Sequence, residues 1–181
     1  MTILNADAVE VISNSADQTG RFGVRMGQLL RAGDLLCLSG ELGAGKTVFA
    51  IGVARGWGAL ENATSPTYIL AHEYHRADGA QLHHLDCYRL RGPHDAESVG
   101  LTERYESGVA LMIEWPENVR PWLPEDGVWA ALRYIDEDKR SLRLHAGGVR
   151  GAQLLADFRE LIRACFAGFG CCPCCGGACS A

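Results

Sequence analysis

The octapeptide Gly40-Glu41-Leu42-Gly43-Ala44-Gly45-Lys46-Thr47 constrains this chain more than any other segment. It fits G-x-x-x-x-G-K-[ST], the pattern of a loop that wraps a phosphate chain. Its glycines let the backbone curl with N–H groups pointing inward. The lysine ammonium reaches the outer phosphates, and the threonine hydroxyl can ligate the magnesium that accompanies them. Such a loop works between a strand and a helix, and both flanks comply. Leu35-Leu36-Cys37-Leu38-Ser39 reads as a buried parallel strand. Val48 to Arg55 reads as the next helix, with its positive dipole end completing the cradle.

The remaining segments alternate strand-like and helix-like patterns. Val9 to Ile12 reads as a first short strand, and Ser15 as the cap of a helix running to about Arg31. Tyr68 to His75 and Gln81 to Asp86 read as strands joined through Ala77-Asp78-Gly79, an Asp-Gly turn that makes a hairpin. Asp95 to Ser107 is polar and short-helical, broken at Gly100. Val109 to Ile113 is a buried strand ending in Glu114, and Pro116, Pro121 and Pro124 punctuate the stretch after it. Val128 to Ile135 and Ser141 to His145 form a second hairpin across Asp136 to Lys139. Gly147-Gly148 is a break, and Gln153 to Phe166 is an amphipathic helix. The prediction is an α/β chain: a P-loop NTPase three-layer fold with a mixed parallel/antiparallel central sheet. Its expected parts are a P-loop ATPase domain over residues 1–147, a C-terminal helix over 148–169 and a disordered Cys/Gly-rich tail over 170–181.

Composition narrows the partners. A length of 181 residues suffices for one domain with a proper core. The formal net charge of −5 argues against strong autonomous nucleic-acid binding. No apolar run approaches the ~20 residues that cross a bilayer. Met1 to Glu10 has neither a basic nor an apolar signal region, so a cytoplasmic location is expected. Cys37, Cys87 and Cys165 are scattered and read as reduced, unpaired side chains.

A phosphate loop alone says only nucleoside triphosphate. Hydrolysis also needs an acid that positions magnesium and a group that orients water. Glu114 closes the apolar run 109–113, and Asp86 closes Leu82-His83-His84-Leu85. Either could serve, and the bland reading of each is a solvated carboxylate at a sheet edge. Thr64-Ser65-Pro66-Thr67 comes after the loop where a gamma-phosphate sensor could lie, although an ordinary turn explains it as well. Trp115 is either a packing anchor or a neighbour of the nucleotide; spacing does not decide.

Taken in order, Gly40 to Thr47, Ser65-Pro66-Thr67, His84-Leu85-Asp86-Cys87-Tyr88-Arg89-Leu90, Gly100-Leu101 and Ile113-Glu114-Trp115-Pro116 resemble the TsaE family, formerly YjeE. The likeness covers roughly residues 10 to 145. The His-x-Asp-x-Tyr-Arg and Ile-Glu-Trp blocks carry more of it than the widely shared phosphate loop. The resemblance implies an ATPase subunit for synthesis of threonylcarbamoyl-adenosine in tRNA, with ATP and Mg2+ as cofactors. It implies TsaB and TsaD as partners, with TsaD carrying the transfer chemistry and hydrolysis here resetting the complex. Activity is expected to be low without the partners, and tRNA is engaged only through the complex. Carried over, the nucleotide contacts are Glu41, Leu42, Gly43, Ala44, Gly45, Lys46, Thr47, Val48, Thr67 and Trp115. The catalytic set is Lys46, Asp86 and Glu114, and the metal set is Thr47, Asp86 and Glu114, with Asp86 and Glu114 unranked as the direct ligand. Two features depart from the family. Val48 stands where a second hydroxyl residue is usual, and the chain beyond about Gly147 is longer than the family core.

Other readings use the same residues. A small-molecule kinase could clamp phosphate with Arg89 and Arg91. A GTP switch would need an Asn-Lys-x-Asp motif, which the chain lacks. A non-catalytic module would bind nucleotide without turnover. In the tail, Cys171, Cys172, Cys174, Cys175 and Cys179 include overlapping C-x-x-C pairs that could hold zinc. All lie on one Gly-rich stretch, and an oxidation-prone tail is the expectation.

Overall fold

Four parallel strands form the centre of the molecule, and the antiparallel strands are added outside them. The computed structural model describes residues 2–5, 8–61, 71–90 and 93–166. In chain order the elements are β1 (Thr2–Asn5), β2 (Ala8–Ser13), α1 (Ala16–Leu29), β3 (Leu35–Ser39), α2 (Lys46–Trp57), β4 (Ala71–His75) and β5 (Gln81–Asp86). Then come α3 (Pro93–Ser98), α4 (Leu101–Glu106), β6 (Ala110–Glu114), β7 (Gly127–Tyr134), β8 (Arg140–Gly147) and α5 (Gly148–Phe166). Two 3-10 turns, Pro116–Asn118 and Arg120–Trp122, link β6 to β7.

The eight strands lie in the order β1-β2-β8-β7-β3-β6-β5-β4. β3 runs parallel to both β6 and β7, and β5 runs parallel to β6. β4 adds antiparallel at one edge through the Asp78-Gly79 turn. β8, β2 and β1 add antiparallel at the other. The sheet is therefore mixed, as the sequence predicts. Because side chains alternate across a strand, β3 feeds two cores. Leu36 and Leu38 join α1, α2 and α5 on one face, with Phe22, Met26, Phe49, Val53 and Phe158. Leu35 and Cys37 join Leu101, Val99 and Val119 on the other. Among the described residues, no helix is long and apolar enough to cross a membrane.

The structure adds to the expected elements at both ends, while one expected boundary falls outside the described residues. A strand, β1, precedes the expected first one and pairs with it. β4 is described only from Ala71, residues 68–70 lying outside the described residues. The C-terminal helix runs from Gly148, so that residues 148–152 precede the amphipathic run Gln153 to Phe166. Its start has a tertiary cause: the Asp126 carboxylate accepts from the backbone N–H of Gly151 at 2.8 Å and of Arg150 at 3.4 Å. A distant side chain thus satisfies first-turn donors that have no partner within a helix. Arg150 also pairs with buried Asp34, Nη2 to Oδ2 at 2.6 Å, tying this turn to the start of β3. Ser15 caps α1 as expected, accepting from Gln18 N at 3.1 Å.

α1 and α2 pack unusually closely. A Cβ on Gly23 would run into the carbonyl of Phe49, and one on Gly27 into that of Val53. From the other side, a Cβ on Gly52 would meet the Gly20 carbonyl, and one on Gly56 that of Val24. Gly20, Gly23 and Gly27 recur at three and four residues and so share one face of α1. Glycine costs a helix up to ~1 kcal/mol relative to alanine. Here backbone contact outweighs that cost. Gly27→Ala is therefore expected to lower stability despite its better helix propensity, since overpacking costs about 1–3 kcal/mol. For a chain of this size that is a fall of roughly 2–12 °C in Tm by circular dichroism. A rise would show that the helices have room to part.

Candidate active site

The phosphate loop leaves β3 directly and ends where α2 begins. Gly40, Gly43 and Gly45 all have positive φ, at 139°, 80° and 99°. At Gly40 a side chain would also strike the carbonyl of Leu132 on β7, so β7 fixes how the loop leaves the sheet. Lys46 folds back over the loop, its Nζ donating to the carbonyls of Gly40 at 2.6 Å and Glu41 at 3.0 Å. The residue is only 4% exposed. Burial lowers the ammonium's pKa from its ordinary value, and the carboxylates of Glu114, Glu117 and Asp86 draw it back up.

The acids arrive from β5 and β6. These strands are parallel and in register, with Asp86 beside Glu114 and His84 beside Met112. His84, Asp86 and Glu114 share a sheet face with Leu82 and Met112, the face that packs against α2. Glu114 is 2% exposed and divides its two oxygens. Oε2 lies 3.4 Å from Thr47 Oγ1, at the first turn of α2. Oε1 lies 3.0 Å from His84 Nε2. Asp86 is more open and accepts from Tyr88 N at 3.0 Å, which turns the chain away from the strand end.

Trp115 closes the cleft. Among the described residues it alone, apart from glycines, has positive φ, at 59°. That conformation costs an L-residue roughly 1–2 kcal/mol. It folds the indole back over the loop, with Lys46 Nζ 3.8 Å from the ring centroid. The Tyr88 ring leans on the indole at 4.9 Å between centroids, and Asn118 Nδ2 donates to the carbonyls of Cys87 and Tyr88 at 2.9 and 3.3 Å. The chain is thereby anchored on both sides of the cleft.

The resulting cleft has a volume of about 330 Å3. Leu42, Gly43, Gly45, Lys46, Thr47, Val48, Asp86, Glu114 and Trp115 line it, together with Tyr88 and Arg89. Of the other residues singled out from sequence, Glu41 offers its carbonyl to Lys46, and Ala44 is buried in the core. Thr67, Arg91 and the cysteine tail lie outside the described residues. Two neighbours in the site, His84 and Tyr88, belong to the His-x-Asp-x-Tyr-Arg block but receive no site role from the sequence. His84 carries a signal, since it stands two positions before Asp86 and so on the same strand face.

The chain also matches known proteins along most of its length. The family described as "Threonylcarbamoyl adenosine biosynthesis protein TsaE" matches residues 13–142. The chain belongs to the TsaE family. Among curated TsaE proteins, that of Treponema pallidum is 41% identical over 132 residues, 72% of this chain and 96% of that protein. The Haemophilus influenzae protein is 34% identical over 143 residues, covering 76% and 89% of the two chains. A crystal structure of Bacillus subtilis YdiB superposes with a TM-score of 0.71 at 24% identity, over 90% of this chain and 99% of that one, which supports the fold. The match of this chain to TsaE thus spans β3 to β7 entire and takes in every strand that carries a cleft residue.

Next to Asp86, on the side of the sheet away from the TsaE cleft, lies a thiol that is closed to reagents. Cys87 is fully buried, and burial together with the Asp86 and Glu117 carboxylates pushes its pKa up to about 12. Burial raises Cys37 well above the ordinary thiol value too. Iodoacetamide at pH 8 is expected to leave both cysteines unmodified in the native protein and to alkylate both after denaturation, read by peptide mass spectrometry. Native labelling of Cys87 would show that the strand end opens.

Proposed function

We propose that this member of the TsaE family binds ATP with magnesium in the cleft and hydrolyses it slowly, serving synthesis of threonylcarbamoyl-adenosine in tRNA with TsaB and TsaD in the cytoplasm. The observation that carries the reading is the meeting of Thr47, at the head of the phosphate loop's helix, with the buried Glu114 carboxylate, with Asp86 alongside. The donor chemistry fits a hard divalent cation, which takes hydroxyl and carboxylate oxygens. Thr47 and Glu114 would hold it, with Asp86 at the more open position. Magnesium, when bound, neutralises charge on the outer phosphates.

The chain's own groups would do the rest. The loop N–H groups bind phosphate oxygens, and the first turn of α2 adds its dipole. Lys46 would move from the Gly40 and Glu41 carbonyls to the outer phosphates. The burial that lowers its pKa also strengthens its pull on an anion, since little water screens it. Trp115 limits water at that point. Asp86, partly buried at the strand end, would accept a hydrogen bond from an attacking water. Catalysis of this kind is positioning and electrostatics rather than covalent chemistry. Arg89 in the cleft wall is the one observation that favours phosphoryl transfer to a small acceptor instead.

The deciding experiment is ATP hydrolysis by the purified chain, alone and with TsaB and TsaD from the same organism. Slow turnover alone, raised by the pair and reduced about a hundredfold or more by Lys46→Ala, is expected. Unchanged hydrolysis with no binding to the pair would overturn the proposal and turn attention to phosphoryl acceptors. Because Lys46 and Trp115 are in contact, ATP should also change tryptophan emission, and Trp115→Phe should abolish that change. A change that survives intact would show that the reporter is another tryptophan.

A further inference from the structure

We propose that His84 is a positioning residue that holds the Glu114 carboxylate by one oxygen so that the other faces a divalent cation. The inference rests on the nucleotide reading above and adds a residue to it. His84 has no exposed surface and lies one strand away from Glu114. Its Nε2 is 3.0 Å from Oε1, while Oε2 stays near Thr47 at 3.4 Å. The two oxygens thus have separate partners, one inside the sheet and one at the cleft.

The other ring nitrogen fixes the direction of the bond. Among the described residues, His84 Nδ1 is buried with no hydrogen-bond partner. A proton there would be a buried donor without an acceptor, which costs about 1–3 kcal/mol. A bare lone pair costs less, so the proton belongs on Nε2, which donates to the carboxylate. Tyr74, itself 1% exposed, stacks against the ring with centroids 6.4 Å apart and planes at 27°. The donor is therefore held in orientation as well as distance. Glu114 without it would keep a buried, under-bonded oxygen and be free to rotate away from Thr47. Outer partners of metal-binding groups set affinity in this way, typically by 10–100-fold.

The test uses the full chain and His84→Ala, His84→Gln and His84→Asn variants. Glutamine places an amide N–H near the position of Nε2, whereas asparagine places one near Nδ1. Manganese binding to the protein–ATP complex is followed by the free-ion EPR signal, alongside kcat and KM for ATP. His84→Ala and His84→Asn are expected to weaken manganese binding by about tenfold or more and to lower kcat, leaving KM for ATP within about threefold. His84→Gln is expected to recover most of the loss. If the alanine variant fails to fold, the difference between glutamine and asparagine carries the same information. Equal manganese affinity in wild type and the folded variants, or no recovery with glutamine, would overturn the role of His84. Failure of the wild type itself to bind manganese–ATP would overturn the nucleotide reading and this inference together. Ring 15N shifts of the wild type, taken with no nucleotide, separate the two: a protonated Nε2 and bare Nδ1 are expected, and the reverse tautomer would refute the hydrogen bond on its own.

Discussion

The backbone contact between α1 and α2 is the constraint on which the site depends. α2 carries Lys46 and Thr47 in its first turn, so its position along the sheet decides where an ammonium and a hydroxyl meet the strand ends. Gly20, Gly23 and Gly27 face Gly52, Phe49 and Val53 with almost nothing but main chain between them. Contact between main chains cannot be adjusted by rotating a side chain, so it sets a position more sharply than interdigitated leucines would. The same contact lets α1 and α2 together cover the face of β3, with Phe22, Met26, Phe49 and Val53 filling the space below.

The parallel pair β5 and β6 supplies the second coordinate. In-register pairing sets Asp86 beside Glu114, but their surroundings differ. Glu114 is enclosed by His84, Thr47 and the loop, whereas Asp86 is only partly buried where the chain turns. Two carboxylates of like chemistry are thus separated by environment rather than distance. Low dielectric around one magnifies whatever charge approaches it, and water around the other damps it. Trp115 is the strained joint that makes this enclosure possible, because an extended residue there would carry the indole away from Lys46.

Much of this is legible in the sequence, for reasons that can be named. The apolar run 35–39, the loop glycines and the turns at Asp78-Gly79 and Asp136 to Lys139 act through short-range sterics, and strand, loop and both hairpins obey them. Glu114 and Asp86 are legible as acids that end strands. His84 is legible as the head of the His-x-Asp-x-Tyr-Arg block, but its pairing with Glu114 is not, because the register of β5 with β6 is tertiary. The cap of α5 is hidden, because Asp126, far away in sequence, supplies it. The close approach of α1 to α2 is written in the spacing of their glycines, yet each glycine alone argues against a helix.

The pairing of β2 with β8 has a consequence for how the chain is made. β2 is synthesised more than a hundred residues before its partner, Ser13 lying opposite Arg140. At about 5–20 residues per second, β2 waits on the order of ten seconds for its neighbour. β7 arrives just before β8, and the Gly40 turn rests against the Leu132 carbonyl on that strand. The phosphate loop is thus translated well before β7 and can take its final shape only when that strand arrives. Until then the edge of β2 that faces β8 stays exposed to other nascent chains. A ribosome that stalls between β6 and β7 would release a polypeptide that holds every acid and the lysine, yet lacks the strand that braces the turn they need.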